Sequence, residues 1–289
     1  MNPVFKNTIK RLIPAPAISG VKYLIFLVRD IADLLLRRID PLVPPTRLMF
    51  DVPLAQRTVQ SFRRDGEEFF GYFVQLCRPK ANERILDVGC GIGRKTVPLT
   101  RFLNEAGSYE GFDIVRKGID WCKSNISSRY PNFHFQWVDV YNEHYNPKAK
   151  VKASEFTFPY PSQSFDCVLL GSVFTHMLPQ DIENYLSEIS RVMKAGGKCL
   201  ISFFLLNAEA LQMMVHGRST LDFRYPMGDY RTVNPRVPED AVCYEESFIL
   251  ALYRKFGLTI EGPIHYGAWC DRDNPLSYQD IIFAIKQDL

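Results

Sequence analysis

The chain has 289 residues, of which 46% are hydrophobic and 23% are charged, and its net charge is +3. This composition excludes an intrinsically disordered chain, and the length allows one large domain with additions or two small ones. The weak positive charge argues against a dedicated nucleic-acid binder, which usually carries a stronger and more clustered basic excess.

The first 50 residues are predicted to form a helical extension that precedes a domain over 51–289. Residues 18–36 are apolar but include Lys22, Arg29, Asp30 and Asp33, and charges near the middle of the run disfavour a transmembrane helix. The short apolar run at 23–28 also disfavours a cleavable signal. We therefore expect a helix packed on its own domain, and the alternative is a helix that lies on a membrane surface.

Beyond three prolines at 41, 44 and 45, a helix is predicted over 54–77, and strands then alternate with helices. The predicted strands cover 84–88, 108–113, 133–138, 164–170, 198–206, 258–264 and 279–286. The predicted helices extend to about 104, then cover 116–128, 179–193 and 245–256. This alternation predicts an α/β fold, a three-layer doubly wound Rossmann-like sheet that is mostly parallel. The last two strands have no helix between them, which favours an antiparallel C-terminal edge hairpin.

Two long connections interrupt the alternation, at 140–160 and at 207–244. Connections of this length in a compact domain are usually binding loops or lids. The second is rich in arginine and aromatic residues, so we expect a lid-like insert that either binds an anionic or sugar acceptor or only packs.

A glycine loop follows the first strand. Asp87 ends that strand, and Gly89, Gly91 and Gly93 follow it; such glycines allow a sharp turn and close approach of a ligand. A dinucleotide-binding fingerprint requires a third glycine where this chain has Arg94. Asp87 also suits an ammonium group better than a pyrophosphate, because like charges repel in a partly buried site. The loop therefore favours a nucleoside with a zwitterionic methionine tail over NAD.

Residues 84–206 resemble the class I S-adenosylmethionine-dependent methyltransferases, and the run Asp87–Gly93 matches the first motif of that superfamily. The stretch that begins with Ser172 and includes His176 is similar to uncharacterised bacterial members, which implies no particular substrate. The turn at 194–197 is Lys-Ala-Gly-Gly, whereas the family usually has Lys-Pro-Gly-Gly, and alanine lacks the fixed φ of proline.

The resemblance implies S-adenosyl-L-methionine as cofactor and assigns a role to each matching position. The methionine portion would be held by Asp87, Gly89, Cys90, Gly91 and Gly93. Asp113, which Ile114 follows, would bind the ribose hydroxyls. Asp139 would bind the adenine amino group, and Val140 would lie beside the adenine ring. Residues after the fourth strand, including Ser172, would line the cofactor.

His176 is the candidate general base, because it follows the fourth strand near the expected methyl group and histidine titrates near neutral pH. A structural role at the start of the helix near Pro179 explains the same residue equally well. His265 and Tyr266 are second choices, for which a role in an edge strand is preferred.

Several methyltransferase subclasses lack their signatures here. No Asn/Asp-Pro-Pro motif follows Leu170, no Pro-Cys context is present, and no carboxylates end the fourth strand, so no metal is expected. The seven scattered cysteines have no Cys-x-x-Cys pair and are expected in a reduced core, which indicates a cytoplasmic protein.

We expect O-methylation of a small-molecule, glycan or lipid-like acceptor. The alternatives are a non-catalytic cofactor-binding or scaffold protein, and an NAD enzyme, which Arg94 and Asp87 oppose.

Overall fold

A computed structural model describes residues 40–287 apart from 51 and 53–55, together with seven residues between positions 24 and 32. Those seven residues are helical, while most of the predicted helix at 18–36 lies outside the described residues. Within the described part of the chain, no helix is both long enough and apolar enough to cross a bilayer.

The described residues form eleven strands and six α-helices. The strands are β1 (Arg84–Val88), β2 (Ser108–Asp113), β3 (Phe133–Trp137), β4 (Phe165–Leu170), β5 (Met193–Phe203), β6 (Leu205–Leu206), β7 (Tyr225–Pro226), β8 (Tyr230–Thr232), β9 (Val242–Glu245), β10 (Leu258–Ile260) and β11 (Asp280–Lys286). The helices are α1 (Val59–Cys77), α2 (Thr96–Leu99), α3 (Arg116–Cys122), α4 (Pro179–Val192), α5 (Ala208–Val215) and α6 (Glu246–Lys255).

A seven-stranded sheet in the order β10-β11-β5-β4-β1-β2-β3 forms the centre of the molecule. Strands β1 to β5 pair in parallel, with Asp87 beside Gly111 on one neighbour and Leu169 on the other. Strand β11 runs antiparallel between β5 and β10. The mostly parallel sheet with an antiparallel C-terminal hairpin is confirmed.

Both faces of this sheet are covered, because successive side chains of a strand point to opposite faces. Ile85 is fully buried on the side covered by α1 and α3, and Leu86 is fully buried on the side covered by α4 and α6. Helix α1 begins at a capping box in which Thr58 Oγ1 accepts from the Ser61 amide at 2.9 Å. The predicted three-layer arrangement is therefore present.

The segment after the glycine loop differs from the prediction. A helix was expected up to residue 104, but α2 covers only Thr96–Leu99 and irregular turns follow it. Pro98 lies inside this short helix, and because proline has no backbone N–H it cannot donate a helical hydrogen bond to the preceding turn. The predicted turn at 194–197 protrudes from the start of β5, where the pairing with β4 moves from Met193 directly to Lys198.

The long connection at 207–244 is more ordered than the sequence suggested. It contributes α5 and three strands of a second sheet in the order β6-β9-β8-β7. Phe223 and Trp269 are fully buried in the apolar cluster beneath it. Strands of two to four residues are too short to give a clear hydrophobic period, which explains why the sequence did not reveal them.

Candidate functional site

A cavity of about 770 Å³ opens at the carboxyl ends of the parallel strands. Ligands of doubly wound sheets bind in this position. Seven predicted cofactor residues and the candidate base line the cavity: Gly89, Cys90, Gly91, Asp113, Ile114, Val140, Ser172 and His176. The other three predicted cofactor residues, Asp87, Gly93 and Asp139, lie outside its lining.

The glycine loop adopts a backbone conformation that a residue with a side chain would disturb. The φ angles of Gly89, Gly91 and Gly93 are 75°, 60° and 77°, in the left-handed region. A Cβ atom on Gly89 would lie 2.3 Å from Cγ2 of Val173. These glycines therefore let the loop pack closely against the segment after β4. At the position of the third dinucleotide glycine, Arg94 instead pairs with Asp65 on α1 at 3.1 Å.

Asp87 lies beneath the loop and is completely buried. Its Oδ2 accepts a hydrogen bond from the Tyr109 hydroxyl at 2.8 Å, whereas Oδ1 has no hydrogen-bond partner among the described residues. Burial raises the pKa of this carboxyl, and the charge of Lys95 opposes the rise. A buried oxygen without a partner is costly, but Asp87 does not line the cavity, so its assignment to the methionine ammonium group stays a prediction.

Asp113 connects the loop to the end of β2. Its Oδ2 accepts from the Gly91 amide at 2.8 Å and its Oδ1 from the Val115 amide at 2.7 Å. Each carboxylate oxygen can accept a second hydrogen bond. The buried carboxylate of Asp113 is thus held at the cavity wall by two main-chain amides.

Asp139 is exposed, and its Oδ1 accepts from Nδ2 of Asn146 at 3.0 Å. Beside it, Val140 is buried and lines the cavity together with Tyr141 and Asn142. The assignments of Asp139 to the adenine amino group and of Val140 to the adenine ring both stay predictions.

His176 lies in a short 3-10 turn after β4 and is held from two sides. Its Nδ1 is 2.8 Å from the main-chain oxygen of Glu239, and the Tyr145 ring meets its ring edge-on at 5.7 Å between centroids. A carbonyl oxygen only accepts, so Nδ1 carries the proton and Nε2 of the neutral ring is free of one. Burial lowers the pKa of His176, which keeps the ring neutral at pH 7.

A hydrogen-bonded group that the sequence did not reveal joins the tips of three strands. The Ser172 amide donates to Oγ of Ser202 at 2.8 Å, and both serine hydroxyls donate to Oε1 of Gln279, at 2.9 and 2.6 Å. Ser172 has a φ of 64°, a strained conformation for a residue with a side chain. This group fixes the cavity wall after β4.

Helix α1 also supplies a wall of the cavity that the sequence reading missed. Asp65, Glu68, Phe69 and Tyr72 line it, and the ammonium group of Lys95 lies 4.9 Å from the centre of the Phe69 ring. Their spacing of three and four places them on one helical face. Two acids on an otherwise aromatic face were a signal in the sequence that this face does more than pack.

The second-choice residues lie away from this cavity. His265 pairs through its backbone with Ile281, and the Tyr266 hydroxyl donates to Glu246 at 2.8 Å. All seven cysteines are buried, and none of them forms a disulfide. Within the described ranges, no group of three or more His, Cys, Asp or Glu side chains is arranged to hold a metal ion.

Comparison with known proteins identifies a family for the central part of the chain. Residues 86–201 match the family described as "Methyltransferase domain". This match confirms, for residues 86–201, the resemblance to the class I S-adenosylmethionine-dependent methyltransferases.

Two curated relatives illustrate how far the likeness extends. The tRNA N(3)-cytidine methyltransferase METTL2 of Gallus gallus is 31% identical over 126 residues, which cover 42% of this chain and 30% of the relative. The arsenite methyltransferase of Mus musculus is 26% identical over 148 residues, covering 51% and 38%. The chain therefore spans well under half the length of these relatives.

Solved structures agree on the architecture. A protein from Pyrococcus horikoshii OT3 superposes with a TM-score of 0.54 at 16% identity, covering 86% of this chain and 97% of the other. The [4+2]-cyclase SpnF superposes with a TM-score of 0.50 at 17% identity, covering 79% and 82%. At such identities the likeness concerns the fold alone, and the name of the second protein shows that the fold does not fix the reaction.

Proposed function

We propose that this chain is a methyltransferase that uses S-adenosyl-L-methionine. The observation that carries the proposal is a single cavity lined by Gly89, Asp113, Val140 and His176. It combines an acceptor for ribose hydroxyls, an apolar wall for a base and a neutral imidazole. When bound, the cofactor supplies an electrophilic methyl group on a sulfonium sulfur.

The residues around the glycine loop have the chemistry to hold the donor. Oδ1 of Asp87, buried and without a partner among the described residues, would accept from the methionine ammonium group. The carboxylate of Asp113 would accept from the ribose hydroxyls, and Val140 would pack against adenine. The exposed Asp139, whose Oδ1 accepts from Asn146, would accept from the adenine amino group through its other oxygen.

We assign His176 as the general base for an acceptor hydroxyl. In an in-line displacement the acceptor oxygen bonds to the methyl carbon while the carbon–sulfur electrons stay on sulfur, and positioning supplies much of the rate. The acceptor proton would pass to Nε2 of His176. The bond from Nδ1 to the Glu239 carbonyl keeps this nitrogen free to receive the proton.

The acceptor is expected to be a neutral or cationic small molecule, glycan-like or lipid-like, methylated on oxygen. Acidic side chains outnumber basic ones around the cavity, with Asp65, Glu68, Asp113, Asp181 and Glu239 against Arg94, Lys95 and Lys152. A net negative lining repels a polyanion, and RNA binding relies on neutralising phosphates with basic residues. The insert at 207–244 would act as a wall through Glu239, its contribution to the cavity lining.

Two measurements test this function in order. Calorimetry with S-adenosylmethionine, S-adenosylhomocysteine and NAD should show binding of the first two, and binding of NAD alone would refute the assignment. Transfer of a labelled methyl group should then be measured to a panel of sugars, phenols, lipids, arsenite and tRNA. RNA as the sole acceptor would refute the charge argument while leaving the cofactor assignment intact.

A cofactor-binding protein without turnover is the second candidate. The ring of His176 is fixed by Glu239 and Tyr145, which also fits a purely structural histidine. Cofactor binding without transfer to any member of the panel, combined with a loss of stability when His176 is replaced, would favour it.

A further inference from the structure

The helical residues between positions 24 and 32 have one side attached to the domain. The Arg57 guanidinium carbon lies 5.5 Å from the centre of the Phe26 ring. Asp30 accepts from the amide and hydroxyl of Thr46 at 2.7 and 2.8 Å and pairs with Arg47 at 2.7 Å. Positions 26 and 30 are four apart and so lie on the same side of a helix.

The other side of these residues is apolar and open. Leu24, Val28 and Ile31 are 59%, 60% and 46% exposed, and their spacing of four and three aligns them on one face. We call these three residues the apolar stripe. A helix on the surface of a globular domain normally turns apolar residues inward and polar ones outward, whereas here the acid Asp30 is bonded to the domain and the stripe faces outward.

The charge of the same region indicates what covers the stripe. Residues 1–50 contain eight Lys and Arg and three Asp, a net charge of +5, while the whole chain carries +3. The remaining residues, 51–289, therefore carry a net charge of −2. A stretch of sequence that combines this excess of positive charge with an exposed apolar helix face complements a membrane surface that contains anionic lipid.

We propose that the apolar stripe docks this protein on the surface of an anionic bilayer, with the helix lying in the plane of the interface. The apolar side chains enter the boundary between headgroups and acyl chains, and the basic residues of the first 50 positions are attracted to the anionic headgroups. Both contributions are required, because neither three apolar side chains nor a surface charge of this size gives firm binding alone.

Co-sedimentation of the full chain with vesicles tests this docking. Wild type should bind vesicles of 70% phosphatidylcholine and 30% phosphatidylglycerol, and binding should fall at least tenfold on pure phosphatidylcholine vesicles or in 0.5 M salt. The triple variant Leu24→Gln, Val28→Gln, Ile31→Gln should lose at least tenfold in affinity for the anionic vesicles. The matched control is Val215→Gln, which replaces an apolar residue that is 76% exposed at the end of α5 and should bind like wild type.

Four outcomes would overturn the proposal. The first three are no binding of wild type to anionic vesicles, equal binding of wild type to neutral vesicles, and unchanged binding of the triple variant. The fourth is a wild-type dimer that the triple substitution converts to a monomer without any vesicle binding, which would assign the stripe to a second copy of the chain. Equal thermal unfolding midpoints for the variants and wild type exclude misfolding as the cause.

Discussion

Nδ1 of His176 lies 2.8 Å from the main-chain oxygen of Glu239. This contact joins the turn after β4 to the insert at 207–244, so the insert sets the tautomer of the proposed base. It also leaves Nε2 as the nitrogen that can accept a proton. The insert thereby has a defined part in the chemistry, which separates it from a cover that only excludes water.

Replacing His176 by Asn should separate its chemical role from its structural role. The Asn amide can still donate near the position of Nδ1, but it offers no basic nitrogen. We expect cofactor binding close to that of wild type and methyl transfer lower by about 10²–10⁴-fold, measured with labelled cofactor on an acceptor found in the panel. Wild-type turnover in His176→Asn would show that the histidine only packs.

The acidic limb of the pH–rate profile should lie below pH 6.5, because burial lowers the pKa of His176 from that value. The same shift affects stability. The unfolded chain binds the proton more tightly than the folded one, so stability is fully present above pH 6.5 and is lost as the pH falls through the lower folded pKa. Urea unfolding at several pH values between 5 and 7 should show that the free energy of unfolding falls more steeply with decreasing pH in wild type than in His176→Asn. Equal slopes would contradict the lowered pKa of His176.

Asp113→Ala should weaken S-adenosylhomocysteine binding by about 1.5–3 kcal/mol, the usual value of hydrogen bonds to a charged partner. The variant also removes the acceptor for the amides of Gly91 and Val115, so the glycine loop and the ligand each lose hydrogen bonds. Calorimetry measures the change, and Asp120→Ala on the exposed side of α3 serves as the control. Unaltered affinity in Asp113→Ala would remove this residue from the site.

The sequence predicted the parts of the site that follow directly from strand ends. The apolar runs of β1 and β2 stop at Asp87 and Asp113, so those strands and their terminal acids could be located from residue order alone. The sheet topology then brings the acids together at one edge, because the carboxyl ends of parallel strands meet there.

The missed parts depend on contacts between distant positions. Ser202 and Gln279 are 77 residues apart in the chain yet share a 2.6 Å hydrogen bond, and neither has a local pattern that distinguishes it from ordinary strand residues. For Asp87 the sequence predicted the position but not the surroundings. Its complete burial and its bond to Tyr109 depend on how the loop folds back over the sheet.

Gly89→Ala should impair the glycine loop more than a left-handed φ alone explains. The added Cβ would lie 2.3 Å from Cγ2 of Val173, so the loop or the segment after β4 must move, and we expect at least a tenfold loss in S-adenosylhomocysteine affinity. Gly196→Ala is the matched control, since its φ is 68° and no atom lies within 4 Å of the added Cβ. Both variants bear the left-handed cost of about 1–2 kcal/mol, so the difference in cofactor affinity between them isolates the steric clash. Equal affinities would show that the loop tolerates the shift.

Asp280, the first residue of β11, should be a sensitive link between the central sheet and the residues packed beside it, which include Arg272 and Leu205 of the second sheet. Asp280 is completely buried, and its oxygens accept from Arg272 Nη1 at 3.0 Å, Trp269 Nε1 at 2.8 Å and the amides of Leu205 and Gly267 at 2.6 and 2.7 Å. Burial raises the pKa of this carboxyl to about 6, and its hydrogen-bond donors oppose the rise.

Asp280→Ala should lower the free energy of unfolding by about 3–5 kcal/mol. It removes the buried acceptor of Trp269 Nε1 and two main-chain amides, and it leaves Arg272 with one carboxylate partner, Glu209 at 2.8 Å, in place of two. Urea denaturation measures this loss. The control is Arg218→Ala, which breaks an exposed 2.7 Å pair with Asp271 and should cost less than about 1 kcal/mol. Adding Arg272→Met to Asp280→Ala should recover part of the stability, since it also removes the buried guanidinium that has lost one of its two carboxylate partners. A loss in Asp280→Ala no larger than in Arg218→Ala would mean that the apolar cluster around Trp269 and Phe223, rather than the ion pair, holds the insert in place.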